Sequence, residues 1–204
     1  MTLWKEKSPL ILASTSATRL QLLIAAGLPV KAVTVDLDER ALEFSLQSKL
    51  ADPRTIALEL AKAKAETVAM RYADCWVLAA DQTLALGNIQ FHKPIGIHQA
   101  AEHLRMLSGQ THHLNSAVCL YRDGVCRFEH VETAMMKMRS FGEAFVADYL
   151  DAAGDAVTRS VGAYQMEGLG VHLFERIEGD HATILGLPIL PLLAFLRSAG
   201  ALES

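Results

Sequence analysis

The chain has 204 residues, a net charge of -4 and a hydrophobic fraction of 51%. That length fits one large domain or two small lobes sharing a sheet, with enough apolar residues for a substantial core. Mild acidity argues against nucleic acid as the main partner, and no apolar run is long enough to cross a bilayer; a small anionic ligand needs only a locally positive pocket.

Strands and helices alternate along the sequence, which places it in the α/β class. The opening MTLWKEKSPLILAS reads as leading into a strand. A signal peptide would want a longer apolar core and a small-residue cleavage site, so the chain is expected in the cytoplasm. Leu10 to Ala13 is a buried strand, followed by Ser14, Thr15 and Ser16 as N-caps of a helix to about Ala26. Val30 to Val35 is a second strand, ending in the acidic group Asp36, Asp38 and Glu39. Asp52 and Pro53 open a long helix to about Tyr72, on which Ala57, Leu60, Ala61, Lys64 and Val68 share a face. Lys64 would then sit among apolar neighbours, where a charge needs a partner. Trp76 to Ala80 is a strand that stops at Asp81. Ile97 to Leu107 is helical, and Leu114 to Tyr121 and Glu132 to Met138 are strands, with Asp123-Gly124 in the turn between them. A helix covers about Phe141 to Leu150, Val171 to Ile177 is a strand, and Pro188 to Ala199 is a closing helix. Cys75, Cys119 and Cys126 lack CxxC spacing and are read as buried free thiols of a reducing compartment.

Four segments carry polar groups suited to chemistry. In LASTSATR, Leu12 to Arg19, a strand leads through hydroxyls into a helix N-terminus, whose N–H groups favour anions; Arg19 adds a planar fork for phosphate oxygens. On local grounds a plain cap and a surface arginine are the simpler explanation. In AADQTLALGNIQFHKP, Ala79 to Pro94, Asp81 can bind a divalent cation or act as a base toward water, and Lys93 can neutralise phosphate charge. A strand-end turn with a solvated lysine fits equally simple rules. Asp36, Asp38 and Glu39 offer oxygens to a hard cation, or form a solvated loop. In SVGAYQMEGLG, Ser160 to Gly170, glycines let backbone approach a ligand and Glu167 can accept hydrogen bonds from a base edge, or the stretch simply joins two elements. His92, His112 and His113 lack HExxH spacing and are read as structural or surface residues.

Taken together and in order, these segments resemble the Maf family of nucleoside triphosphate pyrophosphatases. LASTSATR resembles the family's LAS-x-SPRR opening, LAKAKA its lysine-bearing helix, AADQT its (G/A)AD(T/Q) segment and HKP its GKP. LSGQTHHLNSAV, ETAMMKMRS, SVGAYQMEG and GLPIL resemble LSGxxHxVxTGV, ETxVxFR, AGAYxIQG and the closing VGLPL. The resemblance implies a single Maf-like domain over 1–204, with a central mixed twisted sheet flanked by helices and two lobes with a cleft between them. It implies hydrolysis of nucleoside triphosphates to the monophosphate and pyrophosphate with Mg2+ or Mn2+, by a cytoplasmic protein with no nucleic-acid or membrane partner; a homodimer stays open. It makes Asp81 the catalytic acid-base residue with Lys93 beside it. Ser14, Arg19, Lys64 and Lys93 become phosphate-pocket residues, Glu39 and Asp81 metal-side carboxylates, and Thr18, Gln82 and Glu167 substrate-selecting positions. DQ at 81–82, MEGLG and LFER resemble the branch acting on 7-methyl-GTP, whose cationic base suits a nearby carboxylate. Thr18 stands where that branch usually has tryptophan, Ala17 replaces a proline, Leu20 a second arginine and His92 a glycine. The alternative is a nucleotide-binding regulator of septum formation that hydrolyses nothing.

Overall fold

A computed structural model describes residues 3–48 and 51–203. They fall into two compact units. The first runs through Gln82, resumes over Asn115–Glu132 and takes the chain again from His181 onward. The second comprises Thr83–Leu114 and Thr133–Asp180.

The first unit begins with β1 (Leu10–Ala13), α1 (Ala17–Ala25), β2 (Val30–Val33), α2 (Glu39–Ser48), α3 (Pro53–Ala69) and the first part of β3 (Val77–Leu86). β1 lies parallel to both β2 and β3, with Leu10 opposite Val30 and Leu12 opposite Leu78. Parallel strands covered on both faces read as unbroken apolar runs, as LILA and VLAA do here. Alternation sends Leu10, Leu12, Leu78 and Ala80 to one face. There they meet Leu23 of α1 and Leu192 and Leu196 of α7 (Ile189–Ser198). Ile11, Ala13, Val77 and Ala79 face the other way, against Ala57, Ala61, Ala65 and Val68 of α3. Asp52 caps α3, its Oδ1 accepting from the backbone N–H groups of Arg54 (2.8 Å) and Thr55 (3.0 Å), and Pro53 sits at its first turn.

In the second unit β3 continues through a turn into β4 (Ile89–Phe91), followed by α4 (Ile97–Leu107). β5 (Thr111–Arg122) and β6 (Val125–Met138) each have residues in both units, and α5 (Glu143–Ala153) and β7 (Phe174–Glu178) complete the second. The strands form one mixed sheet in the order β2-β1-β3-β5-β6-β7, with β4 paired to β3. No helix among the described residues is long and apolar enough to cross a membrane.

Several sequence expectations need correction, among them the strand expected over Glu132 to Met138, which begins at Val125. β3 does not stop at Asp81 but continues to Leu86, because Gly87, at φ +57°, turns the chain so that Leu84 pairs with Phe91. Glu39 is not in a loop: it opens α2, a helix with no fully buried residue, whose charged sequence hid its period. Val171 belongs to a 3-10 turn (Leu169–Leu173), and the strand after it starts at Phe174. The three cysteines are free, with Cys119 buried and the other two partly covered.

Candidate active site

The alternation of β3 decides what its polar residues meet. Val77 and Ala79 face α3, so Asp81 faces α3 too, and there it meets Lys64. The Lys64 Nζ donates to Asp81 Oδ1 at 2.7 Å. The same ammonium is 2.7 Å from Glu39 Oε2 at the start of α2. Lys64 is buried, the Asp81 side chain is 14% exposed and that of Glu39 is 50% exposed. One enclosed cation thus links a sheltered carboxylate to a wetter one, which supplies the partner that the apolar face of α3 demanded.

Leu78 and Ala80 face the opposite way, and so does Gln82. Its Nε2 donates to Ser116 Oγ (2.9 Å) and to the backbone carbonyls of Thr183 (3.2 Å) and Ile184 (3.0 Å). Those carbonyls belong to α6 (His181–Ile184), a single short turn. Arg19 reaches the same region from α1. Its Nη1 donates to the Ala80 carbonyl at 2.7 Å and its Nε to the Gly186 carbonyl at 2.8 Å. Burial lowers the guanidinium from its ordinary value and the charges of Asp81 and Glu39 oppose that; arginine stays cationic throughout.

The helix N-terminus of the first motif forms as a cap. Ser16 is the N-cap of α1, its Oγ accepting from the Arg19 N–H at 3.3 Å, and Ser14 Oγ accepts from the Ser16 N–H at 3.2 Å. Ser14 lies two residues past Leu12, whose parallel partner is Leu78, so Ser14 and Asp81 both follow the carboxyl end of the β1–β3 pairing. That end of a parallel sheet is where α/β proteins place ligands. Thr18 is partly buried in the first turn of α1.

Lys93 and Glu167 belong to the second unit, where both are exposed. Lys93 follows β4. Glu167 sits in a tight turn in which the Gln165 carbonyl accepts from the N–H groups of Gly168 (3.2 Å) and Gly170 (3.1 Å). A Cβ on Gly170 would lie 2.4 Å from that carbonyl oxygen, so the turn requires glycine there. Next to it, Ala163 is fully buried at φ +63°, a conformation that L residues rarely hold.

The structure therefore brings together Arg19, Glu39, Lys64, Asp81 and Gln82 in the first unit. The sequence reading missed Ser116, Thr183 and Gly186. The signal available was two hydroxyl residues inside the otherwise apolar runs NSAV and HATILGLP. Among the described residues no group of three or more His, Cys, Asp or Glu side chains is placed to hold a metal. Glu39 and Asp81 reach one ammonium, so they are close enough to share a cation. Two carboxylates suit Mg2+, which commonly takes one or two such ligands and completes its shell with water and substrate phosphates.

The Maf-like protein family model matches residues 9–199. The chain belongs to the Maf-like protein family. A "Nucleoside triphosphate pyrophosphatase" of Bradyrhizobium diazoefficiens is 59% identical over 97% of each chain. Another protein of that name, from Nitrobacter hamburgensis, is 54% identical over the full length of both. A "7-methyl-GTP pyrophosphatase" of Rhizobium etli is 52% identical over 95% of this chain and 98% of its own. Maf-like membership accounts for the ordered motifs and for a mixed α/β sheet flanked by helices.

Of the histidines, His112 is fully buried in the second unit, its Nε2 sharing a 2.8 Å hydrogen bond with the Tyr164 hydroxyl. Burial pushes its imidazole down to about 3, with His113 adding to the effect. An unfolded chain protonates the same ring near pH 6.5. Between those values the unfolded state binds the extra proton, so stability falls as pH drops from 6.5 toward 3, by at most about 1.4 kcal/mol per pH unit. Urea unfolding at pH 7 and pH 5 should show a shallower pH dependence in His112→Gln than in the unmodified chain; equal slopes would remove His112 as the cause.

Proposed function

We propose that this protein hydrolyses nucleoside triphosphates, 7-methyl-GTP among them, to the monophosphate and pyrophosphate. The observation that carries this reading is the buried Lys64 ammonium held between Asp81 and Glu39 in a chain of the Maf-like family. Lys64 occupies Asp81 Oδ1, which orients that carboxylate and leaves Oδ2 for a water proton. The activated water attacks the α-phosphorus, its oxygen forms the new bond, and the bond to the bridging α–β oxygen breaks. Pyrophosphate leaves and the proton rests on Asp81. Ser14 and Lys64 neutralise and seat the phosphate oxygens, with Arg19 adding charge, since phosphoryl transfer depends mainly on positioning and electrostatics; Lys93 of the second unit is proposed as a further phosphate-binding residue. Mg2+ or Mn2+, held by Glu39 and Asp81 and by the nucleotide, supplies further charge neutralisation when bound.

Glu167 and Thr18 are each proposed as substrate-selecting residues. A carboxylate favours the positive charge of a methylated guanine, and Thr18 leaves that base without a tryptophan platform. Gln82, with Nε2 committed, offers its amide oxygen. Such an enzyme works in the cytoplasm, where triphosphates are made, on a small molecule rather than on nucleic acid or membrane.

The test is pyrophosphate release, with Mg2+, from 7-methyl-GTP, GTP, UTP, dTTP and CTP. Release from 7-methyl-GTP at the highest kcat/KM is expected. Orthophosphate as the first product, or nucleotide binding with no product at all, would refute the reaction. Equal rates across the five nucleotides would refute only the base preference.

A further inference from the structure

Both neighbours of Asp81 are tied to one turn. On one side the Ala80 carbonyl accepts from Arg19 Nη1, and the Nε of that guanidinium holds the Gly186 carbonyl. On the other side Gln82 Nε2 holds the carbonyls of Thr183 and Ile184. An amide nitrogen has two hydrogens for three acceptors here, so the third acceptor, Ser116 Oγ, shares the arrangement. Ser116 closes it by donating to the Thr183 carbonyl at 2.7 Å, and the Thr183 hydroxyl donates to Glu132 Oε2 at 3.2 Å. Ser116 and Thr183 are fully buried.

We infer that the turn over residues 181–186 is a splint for the catalytic carboxylate, and that Ser116, Thr183 and Gly186 are positioning residues acting on Asp81 through Arg19 and Gln82. The inference rests on the reaction proposed above. Its physical basis is location and cost. This face of the sheet is otherwise a leucine-rich core. A part-buried guanidinium and amide are an expensive way to border such a core, and apolar side chains of similar volume commonly stabilise as well or better. Here the polar groups cluster at the two residues flanking Asp81. Gly186 is fitted to the same purpose: its φ is +92°, and a Cβ would stand 3.3 Å from both Nε and Nη2 of Arg19. A reacting group displaced by about 1 Å can lose on the order of a hundredfold in rate, so a splint has something to protect.

Ser116→Ala and Gly186→Ala separate positioning from mere stability. Each variant is assayed below its own melting temperature, beside the unmodified protein, for kcat, KM and nucleotide affinity by calorimetry. We expect kcat to fall about tenfold in Ser116→Ala, and further in Gly186→Ala, with KM and affinity changed less than about twofold. Ser116→Cys, which keeps a weak donor, should recover part of the loss. If Gly186→Ala does not fold, the two Ser116 variants decide the matter. A lower melting temperature with unchanged kcat would overturn the inference, leaving the network a structural one. A raised KM with unchanged kcat would also overturn it, by making these residues substrate contacts. No pyrophosphate release from the unmodified protein would instead refute the parent reaction, and this role in catalysis with it.

Discussion

Replacing Asp81 with asparagine is expected to lower the rate of pyrophosphate release by roughly a hundredfold or more, the usual scale of general-base assistance. The side chain keeps its shape, and its amide oxygen can still accept from Lys64 Nζ at the observed 2.7 Å, so the fold and the nucleotide affinity should survive. What is lost is the oxygen that takes the proton. The measurement is kcat with KM, beside calorimetric nucleotide binding. Near-normal turnover would take Asp81 out of the chemistry and leave the ion cluster as a structural feature.

Lys64→Met should be the second most damaging change. Methionine fills the volume of the lysine stem, so packing against the alanine face of α3 is kept and the charge alone goes. Rate should fall roughly a hundredfold, as for loss of one preorganised donor to a developing negative charge. Stability should fall as well, because the sheltered Asp81 loses its counter-ion. Breaking a fully buried pair costs about 3–5 kcal/mol. With Glu39 half exposed to water, about 1–3 kcal/mol is expected instead. Lys64→Met combined with Asp81→Asn should regain part of that stability, since the sheltered side chain is then neutral and only the half-exposed Glu39 carboxylate has lost its partner. Strictly additive losses in urea titrations would show that the two side chains are not energetically coupled.

The two results bear on what could be read from the chain alone. Lys64 was legible because Ala57, Leu60, Ala61 and Val68 share its face of α3, and a lysine among apolar neighbours needs an anion. Asp81 was legible as a candidate for a different reason, the abrupt end of the run VLAA. The strand's true continuation was hidden by the turn at Gly87, which a reading focused on the carboxylate passed over. α2 was missed because a helix that buries no residue leaves little apolar pattern, so Glu39 looked like part of a solvated loop. The work done by Arg19 was beyond reach. A phosphate-binding arginine and one that grips the carbonyls of Ala80 and Gly186 look identical in sequence, and the contact spans 167 residues. Ser116, Thr183 and Gly186 went unseen likewise, since local patterns do not reveal hydrogen bonds closed over such distances.

The three-part composition of the first unit has a consequence for biosynthesis. Leu192, Leu196, Ala201 and Leu202, near the end of the chain, pack in one cluster with Trp4, Leu10 and Leu12 from its beginning, and Lys5 donates its backbone N–H to Ala201. The hydrophobic cluster around β1 therefore cannot close until α7 and Leu202 have been synthesised. Premature termination before α7 should yield a product open to proteases rather than a smaller working enzyme.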